Sequence, residues 1–343
     1  MRIDFSLVKG TIGPAVFAGA LIASAAVGVR ADDLPGKGIT VTPTVQQGLT
    51  EEQFQADLVG MGLEQLGYTV QSPVTASMQA EFVAVANGDA TYYAAFWDPL
   101  HLSFQEKLGG QAKLPMVGTL VKNSIQGYLI DKKTADQYHI TTIDQFKDPK
   151  IAKLFDVDGS GKAGLYGCQS GWGCERVIEH HLDAYGLRNT VHHIQGDYVA
   201  IISDAIERIR AGKPTLYYTW TPLWLSGVLV PGKDVTWLTV SHTDLPDEQK
   251  DANTTVPGIG NLGFSVNTQH IVANPDFLAK NPAAKKLFEE MEIPIEDINA
   301  ENLLVHKGEN SDADIRRDAT DWIKAHQSLW DSWIAGAKKA GAV

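Results

Sequence analysis

The stretch Tyr92-Tyr-Ala-Ala-Phe-Trp-Asp-Pro-Leu-His101 says most about the fold of this chain. Its first six residues are apolar and follow a helical pattern over residues 78–86, so they predict a strand directly after a helix. The Asp98-Pro99 pair then indicates a helix or turn, because aspartate is a good N-cap and proline suits the first helical position. Trp97 and His101 therefore stand at a strand end, where ligand clefts of α/β proteins lie. A core tryptophan beside a surface histidine is the alternative.

The alternation of strands and helices continues on both sides of this stretch. The other predicted elements are strands over 38–42 and 68–70, a helix that follows the capping-box pattern Thr50-Glu-Glu-Gln53, a strand from Gly127 to Ile130, a helix opened at Thr142, helices over 174–185 and 199–211, a strand over 215–219, and one amphipathic C-terminal helix with apolar residues from Ile315 to Ile334. This order predicts a layered α/β architecture with largely parallel sheets. A length of 343 residues predicts two lobes.

Composition excludes several classes of protein. Apolar residues make up 44% and charged residues 20%, which is typical of a globular protein with a real core. The chain has 29 Lys and Arg against 41 Asp and Glu, a net charge of −12, which argues against a nucleic-acid binder. We expect no cofactor and no metal, because the motif Gly258-Ile-Gly-Asn-Leu-Gly263 lacks a strand–turn–helix context and the calcium-like segment 156–161 lacks its closing glutamate.

Residues 1–31 have the features of a secretory signal peptide. A short basic start with Arg2 and Lys9 precedes an apolar stretch, and small residues stand at the −3 and −1 positions of a cleavage site after Ala31. A membrane anchor is the alternative, but Pro14 and several glycines interrupt the apolar stretch. The sequence therefore predicts a soluble exported protein whose two cysteines meet an oxidising compartment and pair.

The segment Gly167-Cys-Gln-Ser-Gly-Trp-Gly-Cys-Glu175 places two cysteines six residues apart around Trp172. A disulfide between them would close a short loop and hold Trp172 in a fixed, exposed position. A helical pattern follows, so the amides of Gly173 and Cys174 are expected at a helix N-terminus, which favours anions. A disulfide that only stabilises the fold, with a buried tryptophan, is the alternative.

A further strand, in Tyr217-Tyr-Thr-Trp-Thr-Pro-Leu-Trp224, also runs into a proline-bearing turn. Trp220 stands at the strand end and is expected to face the cleft, whereas Trp224 is assigned to the core. Trp97, Trp172 and Trp220 are thus three tryptophans at strand ends or on a cysteine-bounded loop.

Together these motifs resemble the periplasmic glycine betaine/proline betaine-binding proteins of osmoprotectant ABC importers. The resemblance covers nearly the whole chain after residue 31 and is carried by Leu34-Pro-Gly-Lys-Gly-Ile-Thr-Val41, Gly127-Tyr-Leu-Ile-Asp-Lys-Lys-Thr-Ala-Asp-Gln-Tyr138, Gly171-Trp-Gly-Cys-Glu175, Tyr217-Tyr-Thr-Trp-Thr-Pro222 and His270-Ile-Val-Ala-Asn274. It implies a non-catalytic, monomeric periplasmic binding protein that delivers a betaine to a membrane permease and its ATPase. It also implies a type II-like fold of two hinged lobes with the ligand cleft between them. We expect lobe 1 to comprise 32–135 plus 294–343, and lobe 2 to comprise 136–293.

The same resemblance implies the ligand contacts. A box of three tryptophans, matching Trp97, Trp172 and Trp220, holds the quaternary ammonium. The histidine that binds the carboxylate matches His101, and the amides that bind it match Gly173 and Cys174; the family's disulfide matches Cys168–Cys174. One departure is Asp98, where the family is expected to have an uncharged residue. Its carboxylate either tunes the affinity for a cation or only caps the following turn.

The chemistry of such a ligand agrees with these residue types. A trimethylammonium group has no N–H to donate, but tryptophan faces attract it by about 2 kcal/mol or more per desolvated contact. A primary ammonium ion would lose its hydrogen bonds to water and find no replacement in the box. Choline should bind less well, since it has no carboxylate for the amides. A different class, an exported hydrolase with Cys168 or Cys174 as nucleophile and His101 as base, would need a free thiolate, which paired cysteines cannot supply.

Overall fold

The computed structural model of the protein describes residues 34–342, so the predicted leader of residues 1–31 lies outside the described residues. Its α-helices are α1 (Gln53–Gln65), α2 (Met78–Asn87), α3 (Leu102–Lys107), α4 (Lys132–Tyr138), α5 (Pro149–Leu154), α6 (Gly173–Ala184), α7 (Tyr198–Arg210), α8 (Leu225–Val228), α9 (Pro275–Lys280), α10 (Pro282–Glu290), α11 (Ile295–His306), α12 (Asp312–Ala325) and α13 (Gln327–Gly341). Its strands are β1 (Thr40–Val41), β2 (Pro43–Gln46), β3 (Thr69–Val70), β4 (Val74–Ala76), β5 (Tyr92–Asp98), β6 (Met116–Asp131), β7 (Ala163–Tyr166), β8 (Val191–Ile194), β9 (Leu216–Thr221), β10 (Val235–Trp237), β11 (Thr255–Val256), β12 (Gly260–Asn261) and β13 (Asn267–Ala273). None of these helices has the length and apolar character needed to span a membrane.

One long strand, β6, joins the sheets of the two lobes. The strand order is β4-β2-β5-β13-β6-β9-β7-β8, and β10 also pairs with β6. The first part of β6 pairs with β13 as far as Ser124, and the second part pairs with β9 from Ile125 onward. With 16 residues, β6 reaches about 50 Å, so it runs through both lobes.

The sheets are mixed, so the prediction of largely parallel sheets is wrong. β2 pairs in parallel with β4 and β5, and β7 pairs in parallel with β8 and β9. The remaining pairs of this sheet are antiparallel. β13 is antiparallel to both β5 and β6, and β6 is antiparallel to β9 and β10. Strands joined by a crossover helix run in parallel, whereas β13 runs opposite to its neighbours β5 and β6, and β6 runs opposite to β9. The predicted helices over 78–86, 174–185 and 199–211 and the strands within 92–97 and 215–219 are confirmed as α2, α6, α7, β5 and β9.

Two hydrophobic cores define the lobes. Phe54, Leu287 and Trp330 belong to one cluster of buried residues, and Phe146 and Tyr217 belong to the other. A third cluster, around Phe82 and Phe96, covers the opposite face of the first lobe's sheet.

The packing of residues 267–293 argues against the second predicted lobe boundary. Ile271, Leu278 and Leu287 lie in the same core as Phe54, although the prediction assigns them to lobe 2. We therefore propose that lobe 2 ends before β13, and that β13, α9 and α10 belong to lobe 1. The alternation in the sequence does not show this, because a strand can return to either sheet after a long loop.

The helix or turn predicted at Asp98-Pro99 is a turn over residues 99–101, after which α3 begins at Leu102, while Asp98 itself ends β5 and pairs with Thr268. Two other expected helix features differ in the structure. Thr50–Glu52 form a short 3-10 turn without the predicted capping box, and α1 begins at Gln53. The single C-terminal helix is two helices, α12 and α13, which meet at His326, whose ring stacks on Trp322 at 4.2 Å.

Candidate functional site

A cavity between the two lobes brings together every residue that the sequence predicted to contact the ligand. Its walls include Trp97 and His101 from lobe 1, and from lobe 2 the residues Trp172, Gly173, Cys174 and Trp220. The three tryptophans are 8–9% exposed, and His101 is 5% exposed. The alternative of a surface histidine at position 101 is therefore wrong.

The cavity is lined on the lobe 2 side by a cluster of aromatic rings. The rings of Trp172 and Trp220 meet edge to face, with centroids 5.9 Å apart. Tyr198 packs 4.4 Å from Trp220 and 6.3 Å from Trp172, and Tyr218 packs 5.9 Å from Trp220. Such contacts fix the orientation of the indole rings. The face of an indole ring attracts a cation through its π electrons, so it suits a cation that has no hydrogen to donate.

Trp97 closes the cavity from the lobe 1 side. It lies near the carboxyl end of β5, yet it packs with buried residues of the lobe 2 core, as Leu100 does. The aromatic walls of the cavity therefore come from both lobes. The distance between these walls depends on the relative position of the two lobes.

The loop 168–174 is closed by a disulfide bond between Cys168 and Cys174, whose Cα atoms are 6.0 Å apart. Inside the loop, the amide of Gly171 donates to Oε2 of Glu175 at 2.7 Å, and the amide of Trp172 donates to the carbonyl of Gln169 at 3.2 Å. The loop thus presents Trp172 from a constrained backbone, and its indole is buried rather than exposed as the sequence suggested.

Helix α6 begins inside this loop, with Trp172 as its N-cap and Gly173 as its first residue. The first amides of a helix have no acceptor within the helix and lie at the positive end of its dipole. The amides of Gly173 and Cys174 occupy this position on the cavity wall. They are suited to bind a carboxylate, as the sequence predicted.

His101 lines the cavity and has one defined hydrogen-bond donor. Its Nδ1 accepts from the backbone amide of Trp97 at 3.1 Å, so the ring proton is on Nε2. Burial lowers the pKa of His101 to about 3, so the ring is neutral at pH 7. The rings of Phe82, Phe96 and Phe104 surround it at centroid distances of 5.3–6.4 Å. His101 can therefore donate a neutral hydrogen bond to an anion in a dry setting.

The lobes approach each other closely beside the anion-binding amides. A side chain at Gly173 would place its Cβ 2.8 Å from Cγ of Leu100 and 3.0 Å from the carbonyl of Leu100. At the rim, Nε2 of Gln79 donates to the carbonyl of Gly171 at 3.0 Å. Glycine at position 173 therefore allows the contact between the lobes as well as the start of the helix.

Several polar residues of the cavity escaped the sequence analysis. Gln126 accepts from the hydroxyl of Tyr218 at 2.6 Å, and Glu52 accepts from the hydroxyl of Tyr93 at 3.0 Å. The side-chain nitrogens of Gln46 and Gln126 are buried and have no hydrogen-bond partner in the described part of the chain. Only Tyr218 had a usable signal, because it stands two residues before Trp220 and so shares its face of β9.

Asp98 does not cap a helix. Its carboxylate lies 3.7 Å from Nε2 of His270 on the neighbouring strand β13. Burial alone would lower the pKa of His270, but the nearby Asp98 carboxylate and the hydrogen bond to the carbonyl of Gly118 raise it above its usual value. The extra carboxylate thus pairs with a histidine outside the walls of the cavity.

A mixed α/β chain with two cores and a cavity between them has the architecture of the two-lobe substrate-binding proteins. The crystal structure of lactococcal OpuAC in its closed-liganded conformation, complexed with glycine betaine, has this fold. Its TM-score to this chain is 0.64 at 18% identity, and the match covers 86% of this chain and 99% of that chain.

The chain belongs to the family described as the substrate binding domain of ABC-type glycine betaine transport systems, which matches residues 39–325. A glycine betaine-binding periplasmic protein, OusX of Dickeya dadantii, is 53% identical over 90% of this chain and 93% of its own length. The glycine betaine/proline betaine-binding periplasmic protein of Escherichia coli is 54% identical over the same shares, 90% and 93%. The family and these relatives are binding proteins of transport systems and not enzymes, so the hydrolase alternative has no support.

Proposed function

We propose that this protein binds glycine betaine or proline betaine in the periplasm and delivers it to the permease and ATPase of an ABC importer. The meeting of three tryptophans, His101 and the first amides of α6 in one cavity carries the proposal. The tryptophans hold the quaternary ammonium, while His101 and the amides of Gly173 and Cys174 bind the carboxylate. Two relatives with at least 53% identity are named for such ligands.

The two ends of the cavity explain the expected order of ligands. The tryptophan box favours a methylated ammonium, because a primary ammonium ion would lose its hydrogen bonds to water there. The anion-binding end favours a carboxylate, so choline uses only the box. We expect glycine betaine and proline betaine to bind best, choline more weakly and glycine not measurably.

Calorimetric titration of the purified protein with these four compounds tests the proposal. Replacing Trp172 with alanine should weaken glycine betaine binding by about 30-fold or more, which corresponds to one lost cation–π contact of about 2 kcal/mol. Trp237→Ala is the matched control, because Trp237 lies on β10 and not on the cavity wall. Equal affinity for glycine and glycine betaine, or unchanged affinity in Trp172→Ala, would overturn the proposal.

Export and processing belong to the same proposal. We expect the leader to be removed after Ala31, so that the protein from the periplasmic fraction begins at Asp32. The periplasmic relatives and the leader pattern of the sequence support this. N-terminal sequencing of the protein released by osmotic shock gives the cleavage site directly.

A further inference from the structure

We propose that His193 is a positioning residue, which holds the Cys168–Cys174 loop in its ligand-binding shape. The inference rests on the function proposed above. His193 does not line the binding cavity, and nothing in its sequence context marks it. It acts instead on the loop that carries Trp172.

The imidazole of His193 connects the start of the loop to the helix that follows it. Its Nε2 accepts from the backbone amide of Cys168 at 3.0 Å, and its Nδ1 lies 2.7 Å from Oε1 of Glu179 on α6. The amide of Cys168 can only donate, so Nε2 carries no proton. Nδ1 therefore carries the proton and donates it to the carboxylate. The side chain is only 3% exposed.

Glu179 is itself fixed to α6. Its second carboxylate oxygen pairs with Arg188, whose guanidinium also binds Asp183 at 2.6 and 2.9 Å. Helix α6 begins at Gly173, at the other end of the loop. His193 and Glu179 therefore link Cys168, the first residue of the loop, to helix α6, in which the loop ends.

The residue between β7 and the loop, Gly167, fits closely against the imidazole. A Cβ at Gly167 would collide with Nε2 and Cδ2 of His193. Position 167 therefore has to be glycine for the ring to reach the amide of Cys168. The disulfide limits how far the loop can open, but His193 sets where its first residue lies.

This role requires a neutral imidazole. Protonation would place a hydrogen on Nε2, facing the amide hydrogen of Cys168, and the hydrogen bond would be lost. Glu179 and Glu175 of α6 are the acidic groups that face the ring, and Gln195 and His192 flank it on its own segment. Burial lowers the pKa of His193, against the opposing effect of the two glutamates.

The direction of the pH effect follows. Because the pKa lies below its usual 6.5, His193 is neutral at pH 7 and above, where the loop is held and affinity is full. As the pH falls through that pKa, the ring gains a proton and affinity falls. By linkage, bound ligand should lower the pKa of His193 further.

The test compares three variants by calorimetric titration with glycine betaine between pH 4.5 and 8. His193→Leu removes both hydrogen bonds and should bind about tenfold more weakly at pH 7.5, the loss expected for a buried hydrogen bond. His193→Gln keeps an acceptor for the Cys168 amide but does not titrate. It should bind nearly as the wild type does at pH 7.5 and lose the decline toward low pH. His192→Gln is the matched control, because His192 points away from the loop and its side chain is 54% exposed.

Hydrogen exchange of the Cys168 amide gives a readout that needs no ligand. It should become faster in His193→Leu and stay unchanged in His192→Gln. Wild-type affinity and pH dependence in both His193 variants, or unchanged exchange at Cys168, would overturn the inference. If exchange becomes faster but the wild type binds none of the betaines, the loop-holding role stands and the proposed function fails. If His193→Leu does not fold, the pH profile of His193→Gln decides.

Discussion

The two sides of the cavity are built in different ways. On the lobe 2 side, Trp172 and Trp220 contact each other and two tyrosines, and a disulfide closes the loop that presents Trp172. On the lobe 1 side, Trp97 stands near a strand end, and its buried neighbours belong largely to the core of the opposite lobe. The tryptophans of lobe 2 are thus held in place by contacts within their own lobe. Trp97 of lobe 1 gains most of its buried neighbours only when the two lobes meet.

The strongest test of this difference compares Trp220→Ala with Trp97→Ala. Each removes one face of the box and should weaken glycine betaine binding by about 30-fold or more. Trp220→Ala also removes a ring that packs against both Tyr198 and Tyr218, so it should lower the free energy of unfolding by about 3 kcal/mol or more. Trp97→Ala should cost much less stability. Urea unfolding without ligand measures the free energy of unfolding of both variants. An equal decrease in Trp220→Ala and Trp97→Ala would contradict the difference between the two sides of the cavity.

The next effect concerns the anion-binding end. His101→Leu removes the Nε2 donor that lobe 1 offers to the carboxylate, and glycine betaine affinity should fall roughly tenfold to a hundredfold, as expected for a hydrogen bond to a charged group. Choline is the internal control. It has no carboxylate, so its affinity should change little in the variant. A similar loss for both ligands would show that His101 only supports the packing around Phe82 and Phe96.

A smaller loss of affinity is expected when a side chain is added at the contact between the lobes. Gly173→Ala places a methyl group against Leu100 and should weaken glycine betaine binding about tenfold, since the lobes cannot approach fully. Gly196→Ala is the control in the same lobe, because its Cβ would meet only the side chain of Ile201. If the substitution at Gly173 left the affinity unchanged, the close approach at Leu100 would have no part in binding.

The smallest effect is expected at the rim. Gln79→Ala removes the hydrogen bond to the carbonyl of Gly171 and should weaken binding about threefold, because one exposed hydrogen bond contributes less than 1 kcal/mol. Gln53→Ala, which removes a partly buried hydrogen bond to Asp57 within lobe 1, should leave affinity unchanged. Stopped-flow fluorescence would place the effect of Gln79→Ala in the dissociation rate, because the bond holds the lobes together.

Local patterns predicted elements well wherever they were long and periodic. Helices α2, α6 and α7 and strands β5 and β9 lie where the sequence indicates, because each depends on neighbours only a few residues away. Predictions of where a helix begins or ends were less reliable. Asp98 pairs with Thr268 in the sheet, so only the predicted turn follows it and α3 begins at Leu102, and His326 divides a helix whose apolar spacing is continuous. In both cases contacts or backbone geometry overrode a weak local preference.

By itself, the sequence determined the family, the residue types of the site and the positions of three tryptophans at strand ends or in a cysteine-bounded loop. Only the tertiary structure decided which residues surround them. Tyr198 beside Trp220, Leu100 against Gly173, and Ile271 of β13 in the same core as Phe54 are all contacts between segments distant in the chain. The pairing of His193 with Cys168 and Glu179 is of the same kind. Periodicity carries no information about such contacts, since they form only when separate strands and helices pack into one cavity wall.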